Sequence, residues 1–281
     1  MSEKYADKII YQYSLKEFRE DGYSKEVNLL QSDIPLLDRA IQAVILSQYR
    51  RKVAESHKLN LKPVILFKSR LIDDSVIFQE QFLTAIKTLK KADIQRIRKS
   101  ATGGIMQSVF AYFDLIKLFP ENLITELQED FSAEKILSVN SQGEGDNKET
   151  QLKVNSLEDY TNEIRAVFTV NMLNEGWDVL NLFDIVRLYE TRDARYGKAG
   201  STTISEAQLI GRGARYFPFV IHNGQEKFKR KYDRDVNIDL RIIEELHYHS
   251  AADNKYIQEL KSELVLTGIT CLLYTSDAAD E

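Results

Sequence analysis

Apolar residues early in the chain recur at steps of three and four: Leu37, Ala40, Ile41, Val44, Ile45, Tyr49 and Val53. That spacing predicts one amphipathic helix, with Pro35 near its first turn. The pattern changes at Pro63-Val64-Ile65-Leu66-Phe67, a short unbroken apolar run of the kind carried by a strand buried on both faces. Helical spacing returns at Phe78, Phe82, Ile86 and Leu89, and again at Ile105, Val109, Phe113 and Ile116, with a break over residues 99–104. Residues 136–139, 164–170 and 184–188 read as further buried strands. Residues 141–150 (SQGEGDNKET) are the most linker-like part of the chain. Thr203 with Glu206 predicts a capping box that opens a helix. Residues 238–265 read as one long charged helix. Residues 4–22 alternate tyrosines with charges and end at the turn signal Asp21-Gly22.

Strands separated by helices mean parallel pairing through crossovers. The expected fold class is therefore α/β, a parallel sheet with helices on both faces. The helices between about residues 75 and 119 look like an insertion between strands. No internal repeat is visible.

Composition narrows the functional classes. With 43% hydrophobic and 29% charged residues, 281 residues can bury a core, in two domains or in one with a large insertion. No apolar run approaches the roughly 18 residues of a membrane span, so no membrane association is expected. The start is polar and acidic, unlike a secretion signal, and a cytoplasmic location is expected. A net charge of −5 argues against a wholly basic nucleic-acid coat but leaves room for a local basic groove. The single cysteine, Cys271, excludes an intramolecular disulfide and a cysteine-based zinc site. Residues 267–281 (TGITCLLYTSDAADE) follow no helical or strand period and are expected to be a non-native, adapter-derived tail.

Two stretches carry candidate chemistry, and both are expected just past the C-terminal ends of strands. The first is Asn171-Met172-Leu173-Asn174-Glu175-Gly176-Trp177-Asp178. Gly176 lets backbone approach a phosphate or ribose, and Asp178 can hold a sugar hydroxyl or a facing arginine. A tight turn around a buried tryptophan fits the same residues. The second is Gln208-Leu209-Ile210-Gly211-Arg212-Gly213-Ala214-Arg215. Helical spacing puts Gln208, Arg212 and Arg215 on one face. Guanidinium groups pair bidentately with phosphate oxygens and stay charged, so this face suits a polyphosphate.

These strings resemble motifs V and VI of superfamily 2 helicases. The fuller string VNMLNEGWDVLNLFDIVRLYETRD followed by SEAQLIGRGARYFPF resembles the Res subunit of type III restriction enzymes. Residues 5–30 and 62–69 fit the same family, the latter at motif IV. The resemblance covers roughly residues 4–267. It implies a RecA-like second motor lobe over residues 34–237, with residues 1–33 a connector from a first lobe outside this chain and 238–266 a C-terminal helical segment.

The resemblance also implies roles. Arg215 is the principal arginine finger toward the γ-phosphate of ATP, Arg212 its partner, and Gln208 and Gly211 lie beside the nucleotide. Gly176 and Asp178 link nucleotide state to DNA contact. Lys68, Ser69 and Arg70, after the motif IV strand, and Asn171, beside Val170 where most such motors have Thr or Ser, contact DNA. The cofactor implied is ATP with Mg²⁺, held mainly by the first lobe. The partners are double-stranded DNA, a methyltransferase/specificity subunit, and a first motor lobe and nuclease domain of the same protein. No Gly-x-x-x-x-Gly-Lys-[Ser/Thr] occurs, so this chain alone is expected to be inactive. The basic run Lys227, Lys229, Arg230, Lys231 reads as a solvated hairpin, with phosphate tracking the alternative. His222, His247 and His249 lack partners at metal spacing, so no metal site is expected. Two other readings stay open: the equivalent lobe of an excision-repair helicase, and a non-catalytic phosphate-binding α/β module.

Overall fold

The structure is a computed structural model that describes residues 13–101, 104–139, 146–159, 161–170, 179–191, 199–235 and 237–270. Along the chain run α1 (Leu15–Glu20), β1 (Glu26–Ser32), α2 (Leu36–Ser56), β2 (Val64–Lys68), α3 (Ile72–Lys87), α4 (Lys91–Ser100), α5 (Gly104–Leu115) and α6 (Pro120–Asp130). Then come β3 (Ile136–Val139), α7 (Asp146–Asn155), β4 (Ala166–Thr169), β5 (Leu182–Arg187), α8 (Ser201–Gly213), β6 (Glu245–Ala251) and α9 (Asn254–Leu266). The six strands form one sheet, β1-β6-β5-β2-β4-β3, and every pairing is parallel. This is the expected α/β class, a parallel sheet covered on both faces.

The strand period of two explains the two cores. In β2, Ile65 and Phe67 face the core under α2 and α3–α6, whereas Val64 and Leu66 face the one under α8 and α9. Phe67 stacks on its register partner Phe168 of β4 at 4.6 Å, and Phe82 of α3 closes on Phe67 at 5.0 Å. Such aromatic pairs add to the burial itself. Among the described residues no helix is long and apolar enough to cross a membrane.

Several expectations change. The expected helix over residues 238–265 is instead a 3-10 turn (Asp239–Glu244), the inner strand β6, and α9. In β6 the period is two: Leu246 and Tyr248 join one core, and His247 and His249 point to buried polar partners on the other face. The histidines made the segment look solvated. The expected connector, residues 1–33, contributes α1 and the edge strand β1. Among the described residues the helices between β2 and β3 are α3 to α6, so the helical stretch runs to Asp130, past the expected end near 119; α4 and α6 escaped the periodicity because each buries only two or three side chains. Residues from Asp146 of the expected linker form α7. Thr203 and Glu206 lie inside α8, whose N-cap is Gly200, so the predicted capping box is not made.

The expected tail boundary at Thr267 falls inside a helix stop. Gly268 takes φ +78°, and the N–H groups of Gly268 and Ile269 donate to Val265 O and Leu264 O. Ile269 packs on the α8–α9 core. Residues 271–281 lie outside the described residues.

Candidate functional site

Helix α8 runs against the strand direction and joins the two edges of the sheet. Near its start, Glu206 meets Arg187, the last residue of β5, at 2.9 Å. At its end, Ala214 O accepts from Lys25 N at 2.6 Å, and Arg215 bridges Ser24 just before β1 begins. Thirteen helical residues span about 20 Å. Both candidate stretches were expected past the C-terminal strand ends; the first lies outside the described residues, and of the second's helix only the start is there. Arg212 and Arg215 stand at the opposite, N-terminal edge, because the helix carries them back across the sheet.

At that edge is a cleft of about 920 Å³. Gln208, Gly211 and Arg212 of α8 line one wall, joined by Arg215, which follows the helix's C-cap Ala214 instead of lying on the expected helical face. Phe18, Tyr23 and Phe228 line it as well. Arg215 is exposed and Arg212 half-buried. A Cβ on Gly211 would lie 2.7 Å from Ile269 Cδ1, so the bare backbone there admits the chain that follows α9. A Cβ on Gly213 would lie 3.0 Å from Leu182 Cδ2, which lets α8 press onto the start of β5.

Lys25 holds this end of α8. It is wholly buried, and its Nζ donates to Leu180 O and Leu182 O at 2.7 Å and to Gly213 O at 3.0 Å. Unpaired carbonyls at a helix C-terminus carry partial negative charge, which a lysine complements. Burial, then the nearby Arg50, pushes its ammonium pKa well below the ordinary value. Sequence reasoning missed Lys25, because a lysine in a polar stretch before a strand looks like surface charge.

The other end of α8 is fastened by a buried network. Glu206 accepts from Arg187 Nε, from Tyr189 OH at 2.5 Å and from Tyr256 OH at 2.6 Å. Arg187 also donates to Tyr189 O and Thr191 O, both at 2.7 Å, and lies 4.0 Å over the Tyr256 ring. A second buried network crosses the sheet. Arg50 of α2 meets Asp184 of β5 at 2.5 Å and His247 Nδ1 at 3.0 Å, and His249 meets Asp184 at 3.0 Å. Burial and the Arg50 charge push His247 down to about 3. No sequence signal marked these networks, since their members are far apart in the chain.

The expected DNA contacts fare unevenly. Lys68 and Ser69 end β2 at the C-terminal edge but are buried, 5% and 1% exposed. Burial lowers the Lys68 ammonium to about 8. Ser69 N donates to Thr169 O. Neither faces solvent: β2 ends at Lys68, and Ser69 still pairs its backbone with β4. Arg70 is exposed and donates to Thr191 Oγ1 at 2.5 Å. Asn171, Gly176 and Asp178 lie outside the described residues. The structure thus brings Gln208, Gly211, Arg212 and Arg215 together and leaves Arg70 at the opposite edge.

The basic run is only partly a solvated hairpin. Arg230 is 4% exposed along its side chain and donates to Ser24 O at 2.5 Å and Arg19 O at 3.1 Å. Lys231 Nζ reaches Tyr216 OH at 2.7 Å and sits 4.2 Å over the Phe219 ring. Lys227 and Phe228 do face solvent.

With this geometry in hand, the chain was compared with known proteins. A family model described as HI_1054_N, N-terminal region, matches residues 202–271, which include α8, the cleft arginines and α9. The chain is 35% identical over 208 residues to the probable type III restriction-modification enzyme HindVIP Res subunit of Haemophilus influenzae. That alignment covers 68% of this chain and 40% of the relative, so the chain spans well under half of the Res subunit. It is also 52% identical over 65 residues to an uncharacterized protein of the same organism, covering 23% of this chain and 14% of that protein. Among solved structures, S. cerevisiae Dbp5 bound to RNA and ADP BeF3 aligns at 10% identity with a TM-score of 0.42, over 95% of this chain and 46% of that one. The resemblance to type III Res subunits thus extends to an alignment over two thirds of the chain.

Proposed function

We propose that this chain is the second, RecA-like motor lobe of an ATP-driven DNA translocase of the type III Res kind. The observation that carries the reading is the cleft lined together by Gln208 and Arg212 of α8 and by Arg215 just past its end. Planar guanidiniums suit the oxygens of a triphosphate held against this edge by the first lobe. Charge grows on the phosphoryl group as it transfers, and arginines held in place need no reorganisation to meet it. Arg215 is the finger and Arg212 its partner. DNA runs along the other edge, where Arg70 is exposed, and α8 links the two. Gly176, Asp178 and Asn171 complete that link in this reading.

Mg²⁺ does not fit here. The cleft arginines are cations that repel it, and among the described residues no three His, Cys, Asp or Glu side chains could hold a metal ion. The metal belongs with the phosphate-cradling loop of the first lobe. In the complete enzyme a nuclease domain and a methyltransferase/specificity subunit couple translocation on double-stranded DNA to cleavage.

The test measures ATPase rate and DNA affinity of the complete enzyme at one fixed salt concentration for wild type, Arg215→Ala and Arg215→Lys. Loss of the finger lowers turnover by about 10³–10⁵. DNA affinity stays within a few-fold, because it is spread over many contacts. Lysine does not rescue, lacking the planar fork. Equal hydrolysis by all three would make Arg215 an ordinary surface arginine. A collapse of DNA affinity with ATPase lost only in proportion would put this edge on DNA.

A further inference from the structure

The mouth of the arginine cleft leaves large apolar side chains facing solvent: Leu15 is 61% exposed, Phe18 37% and Phe228 62%. Single exposed apolar residues need no explanation, but these share one concavity with Tyr23, Arg212 and Arg215. They are also held in place. The buried Arg230 ties the segment bearing Phe228 to Arg19 O and Ser24 O, on either side of Tyr23. Its backbone N–H donates to Gly22 O at 2.8 Å. Gly22 has φ +84°, and a Cβ there would meet Lys229 Cγ at 3.2 Å, so the turn after α1 closes tightly on that segment. The rings of Phe18 and Tyr23 stand 5.5 Å apart at 40°.

The cleft is therefore two-sided, with aromatic faces and guanidiniums opening onto the same space. A nucleoside triphosphate has the same division, a flat base with two π faces at one end and a polyanion at the other. The volume, about 920 Å³, lies within the range of small-molecule sites. Lys227 Nζ lies 5.5 Å from the Phe228 ring centroid and Lys229 Nζ 5.7 Å from that of Tyr23, cations next to the wall that favour an anionic occupant.

We propose that Phe18, Tyr23 and Phe228 form a base-stacking wall, so that this lobe binds a nucleoside triphosphate by its base as well as by its phosphates. The inference rests on the reading of Arg212 and Arg215 as phosphate ligands and adds a second subsite to it. Every base has a π face, so the wall holds a base without distinguishing adenine from guanine.

The experiment uses the purified chain and measures affinity for ATP, GTP and inorganic tripolyphosphate at one fixed low salt concentration, with ligand up to millimolar. Wild type, Phe228→Ala, Phe18→Ala and Arg215→Ala are compared, and melting midpoints check that each variant is folded. Wild type binds ATP and GTP alike, and both more tightly than tripolyphosphate. Phe228→Ala lowers ATP affinity about tenfold, the size of one lost base–aromatic stack, and leaves tripolyphosphate unchanged. Phe18→Ala acts in the same direction. Arg215→Ala weakens all three ligands together. Equal wild-type affinities for ATP and tripolyphosphate, or an ATP-to-tripolyphosphate ratio unmoved in both aromatic variants, would overturn the wall and leave the patch as a surface that another lobe covers. An Arg215→Ala variant that binds tripolyphosphate as wild type does would instead overturn the phosphate reading. No binding of any ligand by wild type would overturn both.

Discussion

The two ends of α8 are built in opposite ways. At its start, Glu206 is 1% exposed and is engaged by Arg187, Tyr189 and Tyr256, so every charge there is matched inside the protein. At its end, Arg215 is exposed and the guanidiniums open onto a cleft of about 920 Å³. The first end is anchored by side chains. The second is held by backbone through Lys25, whose Nζ meets the carbonyls of Leu180, Leu182 and Gly213. In the proposed reading Arg215 meets charge on a substrate and must be held in place. Its rigidity has to come from somewhere else along the helix, and here it comes from both the buried network and the buried lysine.

The sharpest test of that contrast is Glu206→Gln. It leaves the Arg187 guanidinium, 2% exposed, without its opposite charge, and breaking one partner of a buried pair costs about 3–5 kcal/mol. Urea unfolding measures it. Arg215→Ala in the same assay stays within about 0.5 kcal/mol, as a surface change does. If both variants lose stability alike, the two ends do not differ and the division of labour fails.

A smaller effect separates the second buried network from the open cleft by pH. His247 is neutral in the folded chain, with its pKa held near 3 by burial and by Arg50, against 6.5 for the ordinary value. Below pH 6.5 the unfolded chain takes up a proton that the folded chain refuses. Stability is therefore complete above pH 6.5 and falls as the pH drops toward about 3. One such group costs about 2 kcal/mol between pH 6.5 and about pH 5. Denaturation midpoints across that window check it, and a His247→Asn variant flattens the slope. An unchanged slope in that variant would assign the acid sensitivity to other groups.

The smallest effect lies in the cleft wall itself. Gly211→Ala gains up to about 1 kcal/mol of helix propensity but brings a Cβ to 2.7 Å from Ile269 Cδ1. The two terms offset, and the single variant is close to neutral. In an Ile269→Ala background the propensity gain is recovered, which a double-mutant cycle reads as coupling of about 1 kcal/mol. Additive effects would mean that Ile269 does not pack on α8, and the chain after α9 would then have no part in the wall.

Much of this architecture was legible in one dimension. The stripe over residues 37–53 became α2, and the runs at 63–67, 136–139, 164–170 and 184–188 became β2 to β5 within a residue or two. Helical spacing put Gln208, Arg212 and Arg215 on one face; α8 carries the first two, Arg215 follows its C-cap, and all three line the cleft. Periodicity reports which side of an element is buried, and that is a local property. It failed at β6, where histidines stand in for apolar residues, because their burial depends on Arg50 and Asp184. Those partners lie 197 and 65 positions away from His247 and His249.

The sequence by itself therefore determined α2 and the strands β2 to β5, with their buried faces, and the spacing of Gln208, Arg212 and Arg215 along the chain. Tertiary structure alone decided the strand order, the recruitment of residues 26–32 and 245–251 into the sheet, and which edge the arginines reach. It also decided that Lys25 and Arg230 are internal staples while Arg70 and Arg215 face outward. The physical reason is that a charged side chain carries no local mark of its partner. A lysine whose ammonium meets three carbonyls from distant segments reads, in the chain, like any lysine in water.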